Sequence, residues 1–112
     1  PSRAEGWNLE AIEMLAMGKQ MIITDYSAHT EFCNNDNSLL IPIENKESAY
    51  DGIWFHGQGS WAEIGESQVD VIVEHMRKVH DSGKIVNEAG IETGEKFSWA
   101  NSAQQIFAKV SV

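Results

Sequence analysis

Apolar residues recur along the first half of the chain at spacings that predict one helix and two strands. A helix is predicted over residues 8–17, ending at Gly18, because four apolar residues follow the helical period: Leu9, Ile12, Leu15 and Ala16. The β-branched run MIITD predicts a buried parallel strand over residues 21–25. The run SLLIPI predicts a second strand over residues 38–43, and Pro42 marks its exit from the sheet.

The middle of the chain gives a weaker strand signal. A short third strand is predicted over residues 52–57, whereas the glycines of HGQGSW are typical of a turn. Three tryptophans are interpreted as core or interface anchors rather than as stacking surfaces for bases: Trp54, Trp61 and Trp99.

The second half is mainly helical in pattern. An amphipathic helix is predicted over residues 67–81, with Ser67 at its cap and Gly83 at its end. A last helix is predicted from Ser98, which is expected to cap it. Residues 84–95 are a third helix candidate, weakened by two glycines. The stripe of the amphipathic helix consists of Val69, Ile72, Val73, Met76 and Val79.

This order of elements belongs to the α/β class, and 112 residues suit one domain, residues 1–112. In open α/β sheets, ligands bind beyond the carboxyl ends of the strands. Two segments take such positions here. One is the stretch before the first helix, and the other is the loop that follows residues 21–25.

Charge and composition exclude several classes of partner. A net charge of −9 argues against nucleic acid and against anionic membrane surfaces, both of which bind Lys and Arg. No apolar run approaches the ~20 residues of a membrane span. A single cysteine, Cys33, cannot form an internal disulfide, so we expect a reducing, cytoplasmic setting.

The opening stretch, PSRAEGWNLEAIEML, carries the candidate chemistry. A helix start presents unpaired N–H groups and partial positive charge, so the amides after Gly6 can bind an anion. Carboxylates such as Glu5 and Glu13 accept hydrogen bonds from neighbouring sugar hydroxyls. Together these groups predict a nucleotide-sugar site. From spacing alone another interpretation stays open, with Glu5 as a turn residue and Glu13 as a surface charge.

The same stretch resembles the donor-side signature of retaining GT-B glycosyltransferases of the group 4 type. That signature reads Pro-Ser-x-x-Glu-Gly-aromatic-x-Leu, followed by a second glutamate, small residues, a glycine and a hydrophobic strand. Glu5 and Glu13 match its Glu-x7-Glu pair. The tail FSWANSAQQIF and the segment WAEIGESQVDVIVEHMRKV resemble the family's last helices, so the resemblance covers nearly the whole chain.

The resemblance implies the second half of a Rossmann-like, three-layer donor domain, with a short parallel sheet and C-terminal helices. It implies transfer of a hexose from a nucleotide sugar with retention, without a metal or another cofactor. Glu5 would be the catalytic residue, facing donor-sugar hydroxyls, and Glu13 would hold the ribose. The backbone along the sugar and diphosphate would be that of Gly6, Trp7, Asn8 and Leu9.

The resemblance also implies parts that these 112 residues do not contain. The family's acceptor domain and the Arg and Lys that neutralise the diphosphate come before this motif, so we expect a fragment that is inactive alone. Two residues depart from the pattern: Asn8 replaces a small residue and Glu10 replaces a frequent proline. A different hypothesis is a non-catalytic, stand-alone α/β module that binds a nucleotide or a protein partner, including a second copy of itself.

The histidines are weaker candidates. His29 and Glu31 match half of a zinc-deaminase motif, but the Pro-Cys-x-x-Cys half is absent, so no metal site is expected. The loop that contains Tyr26, Ser27 and His29 either approaches the nucleotide or is purely structural. His75 and His80 are interpreted as surface residues because they do not share a helix face: five residues separate them.

Overall fold

The computed structural model describes residues 1–110 as a mixed α/β fold. A single turn of 3-10 helix follows the first strand. In chain order the elements are α1 (Leu9–Ala16), β1 (Ile22–Thr24), the 3-10 turn (Ala28–Glu31), β2 (Leu39–Ile41), β3 (Lys46–Tyr50), β4 (His56–Ala62), α2 (Glu66–Ser82), α3 (Glu88–Lys96) and α4 (Trp99–Val110).

Strands β1 and β2 form the parallel sheet that the sequence predicts. Ile23 is in register with Leu40, and the Asp25 amide extends the ladder by donating to the Ile41 carbonyl at 2.9 Å. Within residues 1–110 this sheet has two strands. The α/β class and both strand predictions are therefore confirmed, with each strand shorter than expected.

Helix α1 packs its apolar face onto this sheet. Leu15 is fully buried, but Leu9 is 52% exposed and Ala16 is also exposed, so the contact stripe is narrower than the sequence pattern. Gly18, at a left-handed φ of 67°, ends the helical segment as predicted. The core cluster consists of Ala11, Ile12, Leu15, Ile23, Phe32 and Cys33.

Helix α3 lies against α1 at very short range. A Cβ atom at Gly94 would come within 2.4 Å of the Ala16 Cβ, so only glycine allows this approach. Asn87 caps α3 by accepting from the Gly90 amide, and its Nδ2 donates to the Asn37 carbonyl at 2.8 Å. The helix candidate at residues 84–95 is confirmed from residue 88 onward, whereas residues 84–87 precede the helix, and its two glycines allow the close packing.

The predicted third strand is wrong. Residues 52–55 connect β3 and β4, which pair as an antiparallel hairpin, and HGQGSW lies in β4 rather than in a turn. Asp51 forms the connection, because its Oδ1 accepts from the amides of Ile53, Trp54 and Phe55 at 2.8–2.9 Å. Residues 56–60 are all exposed, so β4 lacks the alternation of buried residues by which strands are recognised.

Helix α2 is confirmed in extent and in its end at Gly83, but its predicted cap is wrong. The helix begins at Glu66 after Gly65, whose amide donates to the Gln68 side chain at 3.0 Å, so Ser67 lies inside the first turn. The face that contacts the parallel sheet includes Gln68 and His75, which bond the Pro42 and Leu40 carbonyls. The surface interpretation of His75 is therefore wrong, whereas His80 is exposed.

Helix α4 starts as predicted, with the Ser98 hydroxyl accepting from the Asn101 amide at 3.3 Å. No described residue of α4 is buried. Trp99 is 86% and Trp54 is 78% exposed, so the core interpretation of these two side chains is wrong and only the interface alternative stays open. None of the helices in residues 1–110 combines the length and the apolar character that crossing a membrane requires.

Candidate functional site

The segment before α1, residues 4–8, is called the motif loop. It is fixed at Glu5. The Ser27 hydroxyl accepts from the Glu5 amide at 2.6 Å and donates to the Glu5 carbonyl at 2.9 Å. Ser27 makes these two contacts from a left-handed backbone, with φ at 72°. A non-glycine residue is rare in that region, so the loop after β1 holds an uncommon conformation where it meets Glu5.

Asn8 fixes the other end of the loop. It has left-handed φ and ψ of 71° and 69°, and its Oδ1 accepts from the Ala11 amide at 3.1 Å, which confirms it as the helix cap. Its Nδ2 lies 3.4 Å from Nδ1 of His29. His29 is fully buried, and its Nε2 lies 2.6 Å from the Thr24 carbonyl.

These distances assign the His29 tautomer. A carbonyl accepts only from a protonated nitrogen, so Nε2 carries the hydrogen and Nδ1 accepts from Asn8. Both ring nitrogens of His29 are thus occupied by the protein. The sequence left open whether the His29 loop approaches a nucleotide or is purely structural. For the His29 side chain, these contacts support the structural role.

Between these two fixed points the backbone is open. Among residues 1–110, the amides of Gly6, Trp7, Asn8 and Leu9 have no protein acceptor. Gly6 is exposed, and a Cβ atom there would meet nothing within 4 Å. The start of α1 adds its partial positive charge to these amides. The loop can therefore donate several hydrogen bonds to one anion or to a polyhydroxyl ligand.

The side chain and the backbone of Trp7 have different surroundings. The indole packs on Phe32 at 5.1 Å and on Phe97 at 5.8 Å between ring centroids, which ties the loop to the core and to the end of α3. Anchoring the ring in this cluster leaves the Trp7 amide on the open side. The aromatic position of the motif is thus explained by packing.

Glu5 and Glu13 line different cavities of the described chain. Glu5, half-buried, lines a cavity of about 370 Å³ together with Gly6 and the β3–β4 hairpin. It also lines a second cavity, of about 540 Å³, with Asn8. Glu13 is exposed and lines a groove of about 750 Å³ between α1 and α4, together with Trp7 and Leu9. Glu5 thus shares one cavity with Gly6 and another with Asn8, whereas Glu13 shares a third with Trp7 and Leu9.

The one arginine in the motif serves the fold. Arg3 forms an ion pair with Glu47, lies 4.5 Å from the Trp61 ring centroid, and donates to the Ala62 carbonyl. The Arg3 guanidinium is thus engaged with residues of the hairpin. The positive field at the loop comes from the backbone.

Groups that could hold a metal ion are absent from residues 1–110, within which no three His, Cys, Asp or Glu side chains cluster. Cys33 lies in the core, where burial raises the pKa of its thiol, opposed by a weaker hydrogen bond with Ser38. A buried thiol of raised pKa stays protonated and is a poor metal ligand.

Two parts of this site were not found from the sequence. The contacts of Ser27 with Glu5 and of His29 with Asn8 join residues more than 20 positions apart. The hairpin wall of the cavity at Glu5 comes from Phe55 and Trp61, still more distant in sequence. No local pattern encodes such pairings.

Comparison with known proteins gives no relative for this chain. No family model, no curated protein and no solved structure matches it. The chemistry of the site therefore has to be argued from its own geometry.

Proposed function

We propose that this chain is the donor-binding part of a glycosyltransferase, which moves a hexose from a nucleotide sugar to an acceptor with retention of configuration. The observation that carries the proposal is the open run of four amides, from Gly6 to Leu9, fixed at one end by Ser27 and at the other by His29. In this proposal the α/β fold is the second half of a Rossmann-like donor domain, and the enzyme is cytoplasmic.

Each part of the loop has a role that matches its position. Oxygens of the diphosphate accept hydrogen bonds from the open amides, at the positive start of α1. Glu5 accepts from hydroxyls of the transferred sugar, and Glu13 accepts from ribose hydroxyls. Donors fixed before the reaction stabilise the charge that develops on the leaving diphosphate without reorganisation. No step of this scheme uses a metal.

The proposal assigns other functions to parts of the enzyme outside these 112 residues. The acceptor domain and the cations that assist diphosphate departure belong to them. The chain alone is therefore expected to bind a nucleotide sugar and not to turn it over.

Binding can be tested by amide-resolved NMR with UDP-, GDP- and ADP-glucose. We expect at least one of them to shift the amides of Gly6 to Leu9 and to leave those of α2 (Glu66–Ser82) unchanged. The variant Gly6→Ala tests the same site. Its added methyl group meets no atom of the chain within 4 Å but would occupy space that the ligand needs. It should fold like the wild type and bind at least about fivefold more weakly. If none of the three nucleotide sugars shifts these four amides, the donor-site proposal is wrong.

A second candidate is a non-catalytic module that associates with a protein partner, including a second copy of itself. The observation that favours it is the exposed apolar surface of α4, on which Trp99, Ile106 and Val110 are 86%, 64% and 65% exposed. Large exposed apolar patches mark interaction surfaces. Sedimentation over a concentration series, compared with the double variant Trp99→Ser/Ile106→Ser, tests it: this candidate requires association that the variant abolishes.

A further inference from the structure

The cavity at Glu5 has two walls of different chemistry. One wall is the motif loop, from Ala4 to Gly6, with the half-buried Glu5. Another part of its lining comes from the hairpin, with Phe55 and Trp61, whose ring centroids lie 5.5 Å apart at an angle of 65°. The cavity has a volume of about 370 Å³, and its lining is completed by Ala49, Gln58, Gly59 and Ser60.

The hairpin wall is held in place by its own hydrogen bonds. The Asp51 carboxylate accepts from the Phe55 amide, and the Gln58 side chain bonds both the His56 amide and the Trp54 carbonyl. At the far end, the Tyr26 hydroxyl donates to the Ser60 carbonyl at 2.9 Å, which joins the hairpin to the loop after β1. These hydrogen bonds fix the hairpin that carries Phe55 and Trp61.

Arg3 gives Trp61 a defined orientation. Its guanidinium lies 4.5 Å from the Trp61 ring centroid and is fixed in turn by the ion pair with Glu47. Both Arg3 and Glu47 belong to the structure around the cavity, so the cavity itself keeps Glu5 as its charged group. Glu5 can only accept hydrogen bonds when ionised.

A carboxylate on one wall and aromatic rings on the other suit one class of ligand. A pyranose ring presents hydroxyls at its edge and an apolar C–H surface on its face. The carboxylate accepts from adjacent hydroxyls, whereas the apolar face packs on aromatic carbon. A phosphate does not fit this combination, because a carboxylate repels phosphate and no Lys or Arg among residues 1–110 lines the cavity.

We infer that this cavity is a carbohydrate-ring subsite in which Phe55 and Trp61 pack on a pyranose whose hydroxyls bond to Glu5. The inference rests on the proposed function in one respect: the sugar is taken to be part of the transferase's own substrates. Beyond the proposed function, it assigns the β3–β4 hairpin to the binding site and a pyranose ring as the group that the hairpin contacts. The ring comes either from the donor or from the acceptor.

The test uses probes that carry a sugar without a nucleotide. Methyl glycosides of glucose, mannose and galactose are titrated up to their solubility limit and followed by amide-resolved NMR, including the tryptophan indole signals. At least one glycoside is expected to shift Gly59, Ser60 and the Trp61 indole, and to leave the Trp99 indole unchanged. In Phe55→Ala the affinity for that glycoside should fall about fivefold or more.

The matched control is Trp54→Ala. Trp54 neighbours Phe55 on the same hairpin, is 78% exposed and does not line the cavity, so its removal should leave glycoside binding unchanged. Phe55→Leu keeps an apolar side chain without the ring and should lie between wild type and Phe55→Ala. The inference is overturned if no glycoside shifts the cavity signals, or if Phe55→Ala and Trp54→Ala behave alike.

The source of the ring is distinguished by competition. A donor ring predicts that a nucleotide sugar displaces the glycoside and that Phe55→Ala weakens the nucleotide sugar but not the free nucleoside diphosphate. An acceptor ring predicts that both ligands bind at once. Failure of the proposed function looks different, because nucleoside diphosphates would then leave the amides of Gly6 to Leu9 unshifted whatever the glycosides do.

Discussion

The Nδ2 atom of Asn8 lies 3.4 Å from Nδ1 of His29, a side chain with no exposed surface. This contact joins the start of α1 to the end of β1, because the other nitrogen of His29 bonds the Thr24 carbonyl. Asn8 has a left-handed backbone, and the amides that precede it, those of Gly6 and Trp7, have no protein acceptor among residues 1–110. The geometry of the open amides therefore depends on a buried histidine that contributes no ligand contact of its own.

Replacing His29 with alanine is expected to lower the free energy of unfolding by about 2–3 kcal/mol, because the Thr24 carbonyl and the Asn8 amide lose their partner and a void forms. Denaturant unfolding measures the loss. The amides of Gly6 to Leu9 should also broaden or shift in the NMR spectrum of the variant.

The matched variant is Asn8→Asp, which keeps an oxygen that caps α1 and replaces the donor to His29 with a second, charged carboxylate oxygen. It should cost less, about 1 kcal/mol, and leave α1 intact. An Asn8→Asp loss as large as that of His29→Ala would show that the contact between Asn8 and His29 carries the whole effect, rather than the bond to Thr24 or the void.

Gly94 is expected to tolerate no side chain. A methyl group there would lie 2.4 Å from the Ala16 Cβ and 2.6 Å from its Cα, so α3 would have to move away from α1. We expect Gly94→Ala to lower the free energy of unfolding by about 1–3 kcal/mol, despite alanine's higher helix propensity. Thermal or denaturant unfolding measures the change.

Gly6→Ala is the control for this effect, because the same methyl group at Gly6 meets nothing within 4 Å. Its unfolding free energy should stay within about 0.5 kcal/mol of the wild type. Equal stability of Gly94→Ala and Gly6→Ala would contradict the close packing of α1 on α3.

The elements that the sequence predicts well carry apolar side chains at a regular period, as α2 and α4 do although many of those side chains are exposed. Helix α1 and strands β1 and β2 do so, and Leu15, Ile23 and Ile41 are all buried. The β3–β4 hairpin was missed because its exposed residues show no alternation, and its turn is made by one carboxylate, Asp51, at a position that reads as ordinary loop. Propensity is a weak guide where the contacts are polar and local.

Part of the candidate site can likewise be predicted from the sequence, and part of it cannot. The loop from Glu5 to Asn8 follows from the order of residues along the chain, since the first amides of any helix lack an acceptor within that helix. Its supports do not, because Ser27 and His29 meet it only after the chain has formed a helix and a strand between them. The position of Glu13 in a separate groove likewise depends on how α4 packs, which the helical period of α1 does not contain.

Asp51 makes the hairpin tip sensitive to acid. Hydrogen bonds from the backbone amides of Phe55, Ile53 and Trp54 lower the pKa of Asp51 below its ordinary value. A carboxyl whose pKa is lowered by folding contributes stability above its ordinary pKa, and this contribution is lost as the pH falls through the lowered value. The tip should therefore stay ordered at neutral pH and loosen only in strong acid, seen as shifts of these three amides in an NMR pH titration.

Two variants check the cause. Asp51→Asn keeps an oxygen that accepts hydrogen bonds but does not titrate, so the tip should persist and these amides should lose their acid response. Asp51→Ala removes the acceptor and should disorder residues 52–55 at every pH. An acid response that survives in Asp51→Asn would assign the titration to another group.

The two glutamates of the motif should have separable effects on ligand binding, because they line different cavities. If Glu5 bonds the transferred sugar and Glu13 bonds the ribose, Glu13→Gln weakens a nucleotide sugar and its nucleoside diphosphate alike. Glu5→Gln weakens only the nucleotide sugar. Each loss should be about five- to fiftyfold, as expected for removing a charged hydrogen-bond acceptor.

Isothermal titration calorimetry of both variants with both ligands makes this comparison directly. Glu10→Gln is the control, because Glu10 is exposed in the same first turn of α1 and carries no assigned ligand contact. Its effect on both ligands should be within about twofold, since one exposed charge near a helix start contributes only a few tenths of a kcal/mol. Losses in Glu5→Gln that are equal for the nucleotide sugar and the nucleoside diphosphate would mean that Glu5 does not contact the sugar, which would contradict its assigned role.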